Sequence, residues 1–416
     1  MNFKKFIPKS IINCYHYFLA FLGAVIFRFP SKKIKVIGVT GTNGKSTTVE
    51  MITKIFEENG LKVATLSSIR FKIGKKEWSN TLRMTMPGRF TLQKFLRQAV
   101  NERSNYAVLE VTSEGIKQYR HKFINFNVAV FTNLSPEHIE SHGGFENYRA
   151  AKGKLFQATK NIHVINTDDQ NSNFFLKFRA KKKYLYSFKN NNGKIKVTDQ
   201  DGKILQELNN LEIKLKLIGE FNIYNALAAI CVGLSQGISL DDCKKAVESI
   251  GSMPGRMEKV ISNPFKVIVD YAFTPNALEK VYSTFQGSRL ICVLGACGGG
   301  RDKWKRPVLG QIAAKYCKEV IVTNEDPYDE DPEKIINQVA EGAEKYNINS
   351  NQKKNNIYRI LDRREAIKKA LELAKPGDTV IITGKGCEPS ICLAGGKRAP
   401  WDDRVVVKEE FKKIYQ

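Results

Sequence analysis

From Ile34 onward short apolar runs alternate with amphipathic stretches of helical period, the rhythm of an α/β protein. Residues 34–39 read as a buried strand, and residues 46–58 as a helix with Met51, Ile52, Ile55 and Phe56 on one face. Residues 106–111, 128–132 and 162–166 predict further strands separated by helical stretches. Over 181–216 the pattern turns strand-like around NNNGK and DQDGK turns, which predicts a small β insertion before Gly219. Residues 253–257 read as a hinge, and 267–270, 290–294, 320–323 and 380–383 as strands of a second α/β domain. The expected division is an N-terminal helix in 1–33, a central domain in 34–253 and a C-terminal domain in 254–416.

The first 33 residues stand apart: Lys4, Lys5, Lys9, Arg28, Lys32 and Lys33, with no acid among them, flank an uncharged stretch at 11–27. That stretch fits a helix spanning a bilayer, a helix lying on its cytoplasmic face, and a helix packed on the following domain.

A length of 416 residues allows about two or three domains, and 42% hydrophobic with 26% charged residues excludes a disordered or fibrous chain. Lysine plus arginine outnumber the acids 67 to 42, and the resulting +25 favours anionic partners. The cations lie in scattered clusters such as Lys181, Lys182 and Lys183, without the spacing of an RNA-binding or zinc-finger module, so no nucleic-acid partner is expected. Eight cysteines without a CxxC pair, and no signal-peptide pattern, read as reduced thiols of a cytoplasmic protein.

Between the first strand and first helix lies GVTGTNGKST, residues 38–47. Glycines there let the backbone wrap an anion at a helix N-terminus, Lys45 supplies a point charge to the β and γ phosphates, and the Ser46 hydroxyl is a Mg²⁺ ligand. The nucleotide would therefore be held by Gly41, Thr42, Asn43, Gly44, Lys45, Ser46 and Thr47. Glu110, late in its strand, sits where a carboxylate meets the nucleotide's metal, and His138 lies in a loop after another strand. GACGGG at 295–300 does not match a dinucleotide fingerprint and reads as a strand-to-helix turn.

LEVTSEG, FTNLSPEHIESHG, YRAAKGKLF, GEFNIYNALAA, MPGRME, DYAFTPNALEKV and GKRAPWDDR follow the phosphate loop in the order and spacing of the Mur ligases, which the chain resembles from about Ile34 to its end. Within that family the likeness is to members that add the third amino acid of the peptidoglycan stem. The resemblance implies a phosphate-loop ATPase domain with a parallel sheet, followed by a Rossmann-like amino-acid-binding domain. It implies ATP and two Mg²⁺, with Lys45 catalytic, Ser46, Glu110 and His138 as metal ligands, and Lys152 carbamylated by CO₂ into an anion for the second ion. Asn222 and Asn225 match adenine contacts, Arg256 a phosphate contact and Asp270 a ribose contact. The implied reaction joins an amino acid to the glutamate of a muramoyl dipeptide through an acyl phosphate.

Four features depart from the family's pattern. Fewer than 40 residues precede the first strand where the family usually has a UDP-binding domain, so the acceptor is either UDP-linked or lipid-linked, the latter suiting a helix at the inner membrane face. The substrate motif of paired threonines before proline reads MTMPGRF, keeping Thr85 and Pro87 around Met86. The amino-acid motif DNPR reads EDPY at 325–328, and Tyr328 offers no fork to a distal carboxylate. Asp326, and Glu388 in GKGCE, remain candidates to hold an ammonium, as in lysine or another diamino acid. Phe273 and Glu114 stand where histidines are usual. The competing readings are an amidating or polyglutamylating ligase on another carboxylate, and a non-catalytic ATP-binding regulator.

Overall fold

Lys35–Thr40 forms β1 because five of its six positions are apolar or small and buried, which only the middle of a parallel sheet accommodates. The computed structural model describes residues 8–80, 84–189, 192–350 and 355–415. Lys4 and Lys5, Asn190 and Asn191 of the NNNGK turn, and the side chain of Lys9 lie outside the described residues.

The chain groups into two units. In the first, β1 is followed by β2 (Val63–Leu66), β3 (Arg70–Ile73), β4 (Lys76–Ser79), β5 (Tyr106–Glu110), β6 (Phe126–Phe131), β7 (Ile162–Asn166), β8 (Lys182–Ser187), β9 (Gly193–Asp199) and β10 (Ile204–Leu211). They form one ten-stranded sheet in the order β10-β9-β8-β7-β6-β1-β5-β2-β3-β4. From β8 to β2 all neighbours are parallel, and antiparallel hairpins finish both edges. β1 lies between β5 and β6, so the chain leaves its carboxyl end at the point where strand order runs outward both ways, the place where such sheets bind ligands.

The predicted β insertion is thus not a separate module but an edge of the main sheet, in register with β7 from Ile162 opposite Lys182 to Asn166 opposite Tyr186. Its DQDGK turn is closed by Asp199, whose Oδ1 accepts from the N–H groups of Asp201 and Lys203 at 3.0 and 2.9 Å. The hairpin of β3 and β4 has no counterpart in the hydrophobic pattern, since every residue of β4 is exposed. The N-terminal helix, Lys9–Ile26, packs on the helix Arg89–Asn101: Ala20 and Ala24 are buried, and the Arg97 guanidinium donates to Phe27 O at 2.9 and 2.7 Å. Among the described residues no helix is long and apolar enough to cross a membrane.

The second unit comprises 251–416 together with the short segments 136–144 and 217–220, so the boundary falls three residues before Pro254, the expected start of the C-terminal domain. Its sheet contains β11 (Glu258–Ile261), β12 (Lys266–Val269), β13 (Leu290–Leu294), β14 (Glu319–Thr323), β15 (Asn356–Ile360) and β16 (Thr379–Ile382), in the order β11-β12-β16-β13-β14-β15. All pairs are parallel except β11 with β12. The expected strands make the buried centre. The two edge strands carry no fully buried position, so no continuous apolar run announced them.

Candidate active site

The phosphate loop of the first unit is shaped by backbone and braced by side chains. Gly44, at φ 79°, turns the chain into the helix Lys45–Glu58, and a Cβ there would lie 2.3 Å from Asn225 Oδ1. Any other residue would meet both left-handed strain and a collision. Thr42 N donates to Asn133 O at 2.8 Å and Asn43 N to Asn133 Oδ1 at 2.9 Å, while Thr132 Oγ1 donates to Asn43 O at 2.7 Å. Asn133 and Thr132, which follow β6, therefore fix the loop.

At the head of that helix Ser46 Oγ donates to Glu110 Oε2 at 2.8 Å, Ser68 N donates to the same oxygen at 2.9 Å, and Lys45 Nζ stands 3.8 Å from Glu110 Oε1. Glu110 is the last residue of β5 and only 2% exposed. A hydroxyl and a single carboxylate are hard oxygen donors, and Mg²⁺ characteristically takes one or two carboxylates, waters and substrate phosphates rather than a full protein cage. The donor set therefore fits Mg²⁺, and among the described residues no three His, Cys, Asp or Glu side chains gather into a cage for another metal. Lys152, also 2% exposed, runs beneath the loop and donates to Gly41 O at 2.7 Å, with its Nζ 4.7 Å from the Tyr148 ring centre.

Asn222 and Asn225 share one face of the helix Phe221–Ser235, joined by a 3.1 Å bond from Asn225 Nδ2 to Asn222 Oδ1, and both are buried. Thr48 Oγ1 donates to Asn225 Oδ1 at 3.4 Å, tying this pair to the phosphate-loop helix. Of the substrate motif, Thr85 is half-buried and Pro87 buried. Met86 turns inward so tightly that a Cβ at Gly115 would come within 2.4 Å of its sulfur, which explains why an apolar residue is accepted between them.

In the second unit Lys385 is fully buried and donates to Asp326 Oδ1 at 2.9 Å and Glu388 Oε2 at 2.5 Å. Burial alone would lower its pKa, but the two carboxylates outweigh that and hold it above the usual lysine range. Asp326 Oδ1 also accepts from Cys392 N at 2.7 Å, and Glu388 Oε1 from the Tyr271 hydroxyl at 2.8 Å. The ammonium held by Asp326 and Glu388 is thus the chain's own. Beside them Glu325 accepts a 2.8 Å bond from the Cys297 thiol on Oε1, while its Oε2 is buried without a hydrogen-bond partner. Burial pushes the Glu325 carboxyl above its ordinary range despite Arg363 nearby. Gly298 and Gly299 of the GACGGG turn sit against Pro327 O and the Tyr328 ring, where a Cβ would approach within 2.1 and 2.5 Å. Those glycines exist to admit the EDPY loop, not a dinucleotide.

Arg256 and Asp270 flank the start of this unit. The Arg256 guanidinium lies 4.3 Å over the Tyr271 ring, and both oxygens of Asp270 accept backbone bonds of 2.7 Å, from Met257 N and Ala272 N. The segment carrying His138 groups with this second unit, whereas Glu110 and Lys152 belong to the first. His138 takes φ 58° at the start of the helix Ile139–His142, whose first N–H groups, Ile139 and Glu140, each donate 3.0 Å to the Asp302 carboxylate. Glu137 accepts from Lys305 at 2.7 Å in a pair that is 3% exposed on both sides. The RDKWKRP stretch therefore holds the histidine loop. Asp302, Lys305, Glu325 and Lys385 all lie inside motif windows legible in the sequence, yet their partners Ile139, Glu137, Cys297 and Asp326 lie in distant segments, so these contacts were not legible there.

Comparison with known proteins follows the same division. The Mur ligase middle domain model matches residues 39–233, and the Mur ligase glutamate ligase domain model matches 255–386. The UDP-N-acetylmuramoyl-L-alanyl-D-glutamate–2,6-diaminopimelate ligase of Syntrophomonas wolfei is 40% identical over 94% of this chain and 81% of its own length. The UDP-N-acetylmuramyl-tripeptide synthetase of a Roseiflexus species is 34% identical over 95% of this chain and 82% of its own. A solved UDP-N-acetylmuramoyl-L-alanyl-D-glutamate–2,6-diaminopimelate ligase superposes with a TM-score of 0.57 at 29% identity, covering 92% of this chain and 79% of that one. With the phosphate loop, the two-unit division and these likenesses together, the chain belongs to the Mur ligase family and is an ATP-dependent acid–amino-acid ligase.

Proposed function

We propose that this enzyme acts in the cytoplasm and joins a diamino acid to the glutamate carboxylate of a muramoyl dipeptide during peptidoglycan synthesis. The observation that carries this reading is the convergence of Ser46, Ser68 and Lys45 on the buried Glu110 carboxylate at the head of the phosphate-loop helix. A carboxylate is a poor acyl donor because oxide is a poor leaving group. In this reading the acceptor oxygen attacks the γ-phosphorus of ATP, ADP departs, and an acyl phosphate results. The amine of the incoming amino acid then adds to the acyl carbon, loses a proton, and inorganic phosphate leaves with the C–O bond. Lys45 steadies the phosphoryl oxygens, and Asn222 and Asn225 take the base while Arg256 and Asp270 take phosphate and ribose. In the first unit Ser46 and Glu110 would hold Mg²⁺, which would neutralise the developing phosphate charge.

Lys152 is the proposed site of carbamylation: the ammonium gives up one proton, the free amine adds to CO₂ and a second proton leaves the nitrogen, which turns a cation beneath the phosphate loop into an anion. An ammonium at that position, donating to Gly41 O, would repel a second Mg²⁺, and a carbamate would attract it.

Thr85 and Pro87 line the acceptor side, and Asp326 and Glu388 orient the amino acid through Lys385. Two of the three relatives named above carry 2,6-diaminopimelate in their names, and the Roseiflexus synthetase names no amino acid. Tyr328 gives a distal carboxylate no bidentate partner, so lysine, whose far end is an amine, is the preferred substrate here. The acceptor is carried by UDP; a lipid-linked acceptor is the second reading, favoured by the exposed apolar face of the N-terminal helix. The test is incubation with ATP, Mg²⁺, bicarbonate, either acceptor and a panel of diamino acids, followed by mass spectrometry. The expected product is the acceptor plus lysine less one water. Phosphate release that no amino acid stimulates, with either acceptor, would sink the reading in favour of a regulator.

A further inference from the structure

The helix Lys9–Ile26 uses one face to hold itself on the first unit and leaves another uncovered. Ile11, Tyr15, Phe18 and Val25 are 58, 58, 59 and 42% exposed, and with half-buried Leu22 they follow the spacing of a single helical stripe. A soluble surface rarely keeps so many large apolar side chains in one row without a partner. No charged residue lies between Lys9 and Arg28, and no acid occurs in the first 33 residues.

Beside the stripe, the same helix is linked through Phe123 to the rim of a cationic cleft. Tyr17 and Phe21 pack edge-on against Phe123 with ring centres 5.2 and 5.4 Å apart. Ser31 Oγ donates to Phe123 O at 3.4 Å and accepts from Asn125 N at 3.0 Å. Ser31 and Asn125 in turn line an open cavity with Lys32, Lys33, Lys35, Asn105 and Asn127. All three lysines are exposed. The cleft lies at the amino-terminal ends of β1, β5 and β6, opposite the phosphate loop, and therefore serves neither nucleotide nor metal.

We propose that this face docks on an anionic lipid bilayer, with the stripe sunk among acyl chains and Lys32, Lys33 and Lys35 on lipid phosphates. Among the described residues no helix is long and apolar enough to cross a membrane, and the mode of contact open to a helix with one apolar stripe is to lie in the interface. A second copy of the chain is the poorer occupant, because pairing two such faces would bring their cations together, whereas a phosphate surface complements them. The proposal is independent of the ligase chemistry.

The test is co-sedimentation of the full-length protein with phosphatidylglycerol-containing vesicles and with pure phosphatidylcholine vesicles. Partition to the anionic vesicles is expected to exceed that to the neutral ones by at least about tenfold and to fall with salt. The Y15S/F18S pair should cost on the order of a hundredfold in partition, and the K32E/K33E pair at least about tenfold. Both variants should keep the parent's melting temperature and its turnover of soluble acceptor. Should Y15S/F18S fail to fold, K32E/K33E and the parent's salt dependence decide the question. No partition of the parent, equal partition to both vesicles, or a lipid-free dimer that Y15S/F18S converts to monomer would each overturn the proposal.

Discussion

At Glu110 one carboxylate collects a serine hydroxyl, a backbone N–H and a lysine 3.8 Å away; at Lys385 one ammonium is gripped by two carboxylates within 2.9 Å. The first arrangement is anchored by a loop whose shape comes from glycine and backbone bonds, and it leaves hard oxygen donors for a cation that arrives with its phosphates. The second is neutralised in advance by the chain's own charges, and it sits in a pocket of buried groups. The phosphate loop is thus specified by local sequence, whereas the Lys385 cluster depends on which side chains pair across the fold.

That contrast makes the second unit the more fragile under substitution. Arg363 is 1% exposed and bonds Asp403 through Nε and an Nη group, each at 2.8 Å. Arg363→Met would leave Asp403 buried and uncompensated, so thermal and denaturant unfolding should register a loss of about 3–5 kcal/mol. The first unit should instead lose function with little loss of fold. Lys45→Met and Glu110→Gln are each expected to lower amino-acid-dependent phosphate release by roughly 10²–10³-fold. If Glu110→Gln destabilised the protein as much as Arg363→Met while retaining turnover, the distinction between the two clusters would fail.

Substrate choice should respond to Tyr328. Tyr328→Arg gives a distal carboxylate its fork, and the ratio of kcat/KM for diaminopimelate over lysine should rise by about tenfold or more, from a charged bidentate bond. No change in that ratio would mean that the EDPY loop does not read the far end of the amino acid. The smallest effect concerns Glu325, whose folded-state pKa burial raises above the ordinary 4.5. A carboxyl with a raised folded pKa contributes its full stability below the unfolded value and loses it as pH climbs through the folded one. Glu325→Gln should therefore melt at or above the parent temperature near pH 7, and this advantage should vanish toward pH 4.5. A variant that melts lower at pH 7 would show that the ionised carboxylate is wanted there.

How much of this was legible in the sequence follows from the same contrast. The phosphate loop is contiguous, so the Lys45 and Ser46 assignments needed only a strand, a turn and a helix in order, and β1, β5, β6 and β7 appear within two residues of their apolar runs. The edge strands β4, β11 and β15 bury too little for hydrophobic pattern to mark them. The β insertion was recognised from its alternation, but pairing of β8 with β7 depends on register between chains of residues that the alternation does not encode. At the second cluster, Asp326 and Glu388 read as holders of an ammonium, but that the structure gives them Lys385 was not legible, because the 59-residue separation between Lys385 and Asp326 becomes a contact only in the fold. Asp302 was hidden for the same reason: its partners Ile139 and Glu140 lie more than 160 positions away.

The most direct test is oxygen transfer. An acceptor labelled with ¹⁸O in the glutamate carboxylate should yield inorganic phosphate carrying one ¹⁸O per amide bond formed, because the acceptor oxygen becomes the bridge to phosphorus and leaves with it. Amide product accompanied by unlabelled phosphate would contradict the acyl-phosphate account.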